Sequence, residues 1–319
     1  MTDRAAAPHQ VTSGPPAGTG TPRVALEIAV TSPAGARTAR ERGADRVELC
    51  TGLELGGLTP SAAAVESVAA AGLPAHALVR CRPGDFVYDA EEIALMVAEV
   101  RSVVASGAAG VVVGALTAEG ALDTGAVTRL ADAARDAARS RGRSVEITLH
   151  RAIDQSADPV AVAASLPALG LTRVLSSGGA ATATAGLATL ADMVAAAPGV
   201  QVMAGGGVRT ADIPALVTAG VAAVHLSAKT RAEPRRGGAW TPLGVSGASA
   251  ADDTHFVTDP EVVAEARRAL DAATGRPAAP GGSGQPDFPE TPAFRFPPGR
   301  RNPRSRAAGA RGEGRRPVR

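Results

Sequence analysis

From Val24 to Ser227 the chain alternates between two hydrophobic patterns. Short β-branched runs occur at VALEIAV (24–30), DRVELC (45–50), AHALVR (75–80) and GVVVG (110–114). They continue at SVEITLH (144–150), TRVLSS (172–177), VQVMAG (200–205) and AAVHLS (222–227). Each of the first seven is followed by an Ala-rich helical stretch, among them 33–43, 60–72, 90–107 and 125–142. Several of these stretches stop at glycine (Gly43, Gly72, Gly107, Gly142, Gly170, Gly220), the residue best suited to the left-handed turn that closes a helix. Pro33, Pro60 and Pro159 fall near helix starts, where a missing N–H costs nothing. Strands alternating with helices predict βα repeats around a parallel sheet. Eight strands are the number that closes a (β/α)8 TIM barrel. A doubly wound open sheet is the alternative, and the distribution of polar residues argues against it.

Successive strand residues face opposite sides. Val47, Leu49, Val145, Ile147 and Leu149 therefore pack on the helices, while Arg46, Glu48, Cys50, Glu146, Thr148 and His150 point inward. The same parity puts Glu27, His76, Leu78, Arg80, His225 and Ser227 inside. A buried charge needs a partner, so Arg46 and Glu146 are read as an ion pair low in the barrel. Glu27, Glu48, Cys50, Arg80, His150 and His225 fall at or near the C-terminal strand ends, where barrel enzymes carry their sites.

The loops beyond the strands add chemistry. In TGLELGGLTPS, Gly56 and Gly57 allow close backbone approach, and Thr59 or Ser61 can cap the next helix. CRPGDFVYD contributes Arg82 and Asp85. HRAIDQSADP places Arg151 and Asp154 just beyond His150, with Asp158 before Pro159 read as a cap. SSGGAATA, AGGGVRTAD and HLSAKT are turns whose backbone N–H groups can hold a phosphate or carboxylate. Ser177, Gly178, Gly205, Gly206, Gly207 and Ser227 are the candidate anion-binding positions, with Arg209 and Lys229 adding positive charge. Lys229 is the only lysine, so a Schiff base is conceivable, but its place past the strand end suits an anion role equally well.

Composition sharpens this picture. Aromatics are only 2% of the chain, so the core must be built from Val, Leu, Ile and Ala. No apolar run of about 18 residues appears, which argues against a membrane span. The polar segment 1–22 lacks the basic start and apolar stretch of a signal peptide. Two cysteines are too few for a disulfide scaffold, and a reducing cytoplasm is the simplest location. Cys50 is the one sulfur placed at the barrel mouth; a soft thiolate there would favour Cu(I) or zinc. Cys81 has the opposite parity, and no CxxC or HExxH spacing occurs. The net charge of +2 hides an asymmetry, because residues 275–319 hold ten Arg against two Glu and one Asp. That tail is Pro, Gly and Arg without periodicity and is expected to be disordered. Its arginines are the only hint of nucleic-acid contact, and a solvated tail is the simpler reading. The expected organisation is a disordered segment 1–22, a barrel domain 23–274 and a disordered tail 275–319.

LEIAVTS, GADRVELCTGLELGGLTPS, RCRPGDFVYD, TLHRAID, RVLSSGG, MAGGGVR and VHLSAKT together resemble the motifs of the CutC family, in order and at the family's spacings, from Val24 to Thr230. TDPEVVAEAR (258–267) resembles that family's closing helix. The resemblance implies a TIM barrel, often a homodimer, associated by name with copper homeostasis, and it assigns no reaction. Carried over by position, Cys50 matches the family's proposed Cu(I)-binding cysteine. Glu27, Glu48, Arg80, His150, Arg151 and Asp154 match its polar barrel-mouth residues. Many members have cysteine near the end of strand one, where this chain has Ala29. Copper would then need Cys50 with His150, with Cys81 after a loop shift, or with a cysteine of another subunit. The Arg/Pro tail is not a family feature.

Two functions compete at this point. One is copper binding through Cys50. The other is a barrel enzyme acting on a small anionic or phosphorylated metabolite. In that reading Glu27 and Glu48 are acid/base candidates, and Arg80 and Arg151 orient the substrate.

Overall fold

The computed structural model describes residues 23–233 and 255–276. The expectations for 1–22 and for the tail beyond residue 276 lie outside the described residues. Eight parallel strands form a closed barrel in chain order. They are β1 (Ala25–Val30), β2 (Arg46–Leu49), β3 (Ala75–Leu78), β4 (Gly110–Val113), β5 (Glu146–Leu149), β6 (Arg173–Ser176), β7 (Gln201–Ala204) and β8 (Ala223–Leu226). β1 pairs with both β2 and β8, which closes the ring. The intervening helices are α1 (Pro33–Glu41), α2 (Ala62–Ala69), α3 (Ala90–Ala105), α4 (Thr124–Arg139), α5 (Pro159–Ser165), α6 (Leu187–Ala196) and α7 (Ile213–Thr218). After β8 comes a short antiparallel pair, β9 (Lys229–Arg231) with β10 (Phe256–Thr258), and then α8 (Pro260–Ala273).

Local chemistry sets the helix boundaries. Asp89 and Glu92 form a capping box at the start of α3, which satisfies two otherwise unpaired backbone N–H groups. Ser61 caps α2 and Asp158 caps α5, each accepting from the third amide beyond it. On α3 the buried positions Ile93, Met96, Val100, Val103 and Val104 recur at the helical spacing that turns one face to the sheet. On α4 the buried stripe is largely alanine, so that helix can approach closely without large side chains. The main core between barrel and helices is built from Val, Leu, Ile, Ala and Met, with no aromatic residue among its buried members.

The barrel interior holds the buried polar side chains Glu27, Arg46, Glu48, His76, Arg80, Thr148, His150 and Arg173. The register decides how they pair. Glu27 lies beside Arg46 on β2 and His225 on β8, and Arg46 accordingly forms its ion pair with Glu27. Glu146 instead meets Arg173 at 2.6 Å and His76 at 3.2 Å. The expected Arg46–Glu146 pair is therefore corrected: both point inward, but each finds its partner on an adjacent strand.

Candidate active site at the barrel mouth

A cavity of about 220 Å³ opens among residues at the C-terminal ends of the strands, the end where βα loops converge in barrels of this kind. Its wall includes Ala29 of β1, Glu48, Cys50, Leu78, Arg80, Phe86, His150, Arg151, Leu175, Gly206, Gly207, His225 and Ser227. Eight of the expected site residues are thus gathered here: Glu48, Cys50, Arg80, His150, Arg151, Gly206, Gly207 and Ser227.

The other seven are placed elsewhere. Glu27 does not reach the mouth; it is buried beneath, because Ala29, not Glu27, aligns with Glu48 on the next strand. Asp154 turns into the loop after β6, where it accepts from the amides of Ser177 and Gly179 and from the Ser176 hydroxyl. Ser177 and Gly178 belong to that closed turn, and the Gly178 amide donates to Ser176 Oγ at 2.8 Å. The Gly205 amide donates to the Ser176 carbonyl. Arg209 pairs with Asp212 at 3.0 Å and is mostly exposed. Lys229 is exposed and lies over the Phe256 ring, 4.4 Å from its centre.

At the centre of the site two carboxylates flank one imidazole. His225 Nδ1 lies 2.8 Å from Glu27 Oε1, and its Nε2 lies 3.4 Å from Glu48 Oε2. Burial alone would raise the Glu27 pKa, but Arg46, His225 and His76 outweigh it and hold Glu27 well below the usual carboxylate range. Burial opposes charge on His225 too, yet the Glu27 hydrogen bond and the two carboxylate charges hold its pKa above the ordinary value. Glu48 behaves oppositely to Glu27. Burial, helped by the charge of Glu27 and resisted by His225, pushes it up to about 7. Two carboxyls of the same type are thereby separated in proton affinity, the arrangement from which acid and base roles arise. Each of the three residues also places a ligand atom within 4.8 Å of the others. Such oxygen and imidazole donors suit a hard or borderline divalent cation better than Cu(I), but Glu27 is already bound to Arg46.

His150 is the next element of the wall. Its Nδ1 accepts from the Ala152 amide at 3.1 Å, so in the neutral ring the proton sits on Nε2. That nitrogen is buried without a partner. Burial and the neighbouring Arg80 charge lower its pKa to about 3, which keeps the ring neutral. It can pack this way because position 114 is glycine: a Cβ there would come within 2.5 Å of the imidazole. Arg80 donates to the carbonyls of Leu55, Gly57 and Gly84 and lies over Phe86, 5.1 Å from the ring centre. Cys50 packs with Leu78, Val112 and Leu53. Burial, with Glu48 and Glu54 nearby, pushes its thiol up to about 12. Cys81 packs against the outer core, as its parity predicts.

The chain matches the family model described as the CutC family over residues 24–230. The chain belongs to the CutC family. A CutC family protein of Klebsiella pneumoniae strain 342 is 41% identical over 204 residues, covering 64% of this chain and 79% of that protein. One from Xylella fastidiosa is 44% identical over 217 residues, covering 67% and 78%. A solved structure from Streptococcus agalactiae, described as a candidate copper homeostasis protein CutC, has a TM-score of 0.58 and 25% identity. It covers 64% of this chain and 98% of that one. Among the described residues of this CutC protein no helix is long and apolar enough to cross a membrane.

Parity finds the inward position of His225 but not its role, because the bridge depends on strand stagger. Phe86 and Leu175 line the cavity without any signal in the sequence that singles them out.

Proposed function

We propose that this CutC barrel is an enzyme that moves a proton on a small anionic metabolite held at its mouth, with Glu48 as the acid/base. The observation that carries this reading is the Glu27–His225–Glu48 line. Glu27 stays ionised and orients His225 through Nδ1, and His225 Nε2 faces a carboxyl whose proton affinity lies near neutrality. A group with a pKa near the working pH gives and takes protons most effectively. Arg80, Arg151 and the His150 Nε2–H supply positive and polar contacts for the anion, and the cavity is small enough to exclude most water once filled.

The copper role suggested by the family's name is less well matched by these residues. Cu(I) favours thiolates, and Cys50 is the one sulfur in the cavity wall, with its proton held firmly. Ala29 stands where a second sulfur would face it, and the other donors at the mouth are carboxylates and imidazoles. A single protonated thiol in an apolar cluster is a poor Cu(I) ligand within one chain.

The test is incubation of the protein in D2O with a pool of small metabolites, followed by mass spectrometry for deuterium gained at carbon. The expected result is incorporation into one or a few anionic compounds that disappears in Glu48→Gln. Incorporation undiminished in that variant, or none at all, contradicts the proposal.

A further inference from the structure

The site just proposed takes an anion, and the distribution of paired and unpaired donors around it indicates which class; the inference rests on that proposal. In the turn after β6 the donors converge on the chain's own Asp154. Its carboxylate accepts from the Ser177 amide at 2.9 and 3.0 Å, from the Gly179 amide at 3.2 Å and from the Ser176 hydroxyl at 2.6 Å. Arg151 Nε adds a fifth contact at 2.7 Å. Backbone amides, a hydroxyl and a guanidinium are the set that cradles a phosphate in other proteins. Here the set is filled by a side chain that is itself almost wholly buried, at 7% exposure. The other cations near these loops are also engaged, Arg209 with Asp212 and Lys229 with Phe256.

Arg80 presents the opposite situation. Among the described residues three arginines are buried. Arg46 has Glu27 and Arg173 has Glu146, whereas Arg80 has carbonyl oxygens and the Phe86 ring, with no ion pair among the described residues. Those carbonyls take three of its five N–H donors, and its Nε is buried without a partner. Asp85, the acid in the adjoining loop, is exposed and paired with Arg82. A guanidinium buried without a counter-charge is costly, and an anion entering the cavity would remove that cost. Beside it stands His150, whose Nε2–H is likewise buried and unpaired. A guanidinium suits the two oxygens of a carboxylate, and a neutral imidazole N–H suits a carbonyl or hydroxyl oxygen next to it.

We infer that the mouth binds a small carboxylate of the 2-oxo or 2-hydroxy acid class. Its carboxylate pairs with Arg80 and its adjacent oxygen with His150, while Asp154 closes the phosphate-type cradle of the turn after β6. For a 2-oxo acid, proton transfer by Glu48 would then occur at C3, the carbon beyond the carbonyl carbon, whose C–H bond the carbonyl acidifies; the proton passes to Glu48 and the electron pair to the carbonyl oxygen beside His150.

The experiment follows the Arg80 Nε–H resonance of the full chain, labelled with 15N-arginine, as pyruvate, oxalate or inorganic phosphate is added. Pyruvate or oxalate should shift the resonance saturably and phosphate should not. Arg80→Lys should weaken the carboxylate by about tenfold or more, since an ammonium cannot reproduce the planar fork. Asp154→Ala should acquire phosphate binding at the emptied cradle. Tighter binding of phosphate than of either carboxylate by the wild-type chain overturns the inference, as does failure of both carboxylates to bind. Should Arg80→Lys not fold, competition between oxalate and phosphate on the wild-type chain decides. Carboxylate binding without any Glu48-dependent deuterium incorporation would leave this inference standing and remove the proposed reaction. Deuterium incorporation confined to compounds that carry no carboxylate would do the reverse.

Discussion

Replacing Glu27 with leucine removes a carboxylate that is 1% exposed and leaves two groups unpaired. Arg46, with a side chain 9% exposed, keeps its charge and loses its counter-ion, and His225 loses the acceptor at Nδ1. Removing one partner of a buried pair costs about 3–5 kcal/mol, because an uncompensated charge stays behind. For a domain of this size that corresponds to a fall in Tm of roughly 6–20 °C. Glu146→Gln is the internal comparison. It also removes a charge bound to a buried arginine and a buried histidine, but its own side chain is 54% exposed and the Gln amide oxygen still accepts from Arg173, so a smaller loss of about 1–2 kcal/mol is expected. Urea denaturation at pH 7 measures both. The sign with pH follows from the depressed Glu27 pKa. Its contribution is present above the unfolded value of about 4 and is lost as pH falls toward the folded value. The part of the Glu27→Leu deficit that comes from Glu27's own ionisation should therefore stay constant above about pH 5 and narrow in more acid solution, while the part that comes from the raised His225 pKa is full below about pH 6.5 and fades as pH rises. A cost below about 1 kcal/mol, or one equal to that of Glu146→Gln, would refute the reasoning.

Three further outcomes follow from the same contacts. Glu48 has a raised pKa of about 7, so its protonated form favours the folded state; stability is full below about pH 4 and falls as pH rises through 7. Glu48→Gln should accordingly recover about 2–3 kcal/mol at pH 8 relative to pH 5 in urea unfolding, and an unchanged pH dependence would contradict it. Gly114→Ala drives a methyl group into the His150 ring and should cost about 1–3 kcal/mol; a wild-type Tm with an unshifted His150 NMR signal would count against that packing. Cys50→Ala should leave Cu(I) affinity within about tenfold of wild type in a competitive titration under reducing conditions, and a larger loss would restore the thiol as a ligand.

The architecture is largely legible in the sequence because it rests on period-2 and period-3.6 patterns, which each run of residues carries by itself. SVEITLH and DRVELC show on inspection which side chains face the axis. They do not show depth. Glu27 and Glu48 are both inward, yet the stagger between β1 and β2 sets Glu27 beside Arg46 and leaves Ala29 at the level of Glu48. One glutamate becomes a buried support and the other part of the cavity wall. For the same reason Arg46 and Glu146 were expected to pair and do not. The β6 turn presents a different limit. SSGGAATA reads as an open anion cradle, and nothing in those letters shows that Asp154, more than twenty residues earlier, folds back to fill it. His150 is the reverse case: its unpaired Nε2 follows from a local bond to the Ala152 amide, a contact that no periodicity encodes.

The central claim is that Glu48 changes protonation near neutral pH while Glu27 stays ionised. Its most direct test is 13C NMR of selectively labelled glutamate carboxyls across pH, with Glu48 assigned by comparison with Glu48→Gln. A single titration near pH 7 for Glu48, with Glu27 ionised throughout, is the predicted result. A Glu48 that titrates with the surface glutamates near pH 4 would contradict it.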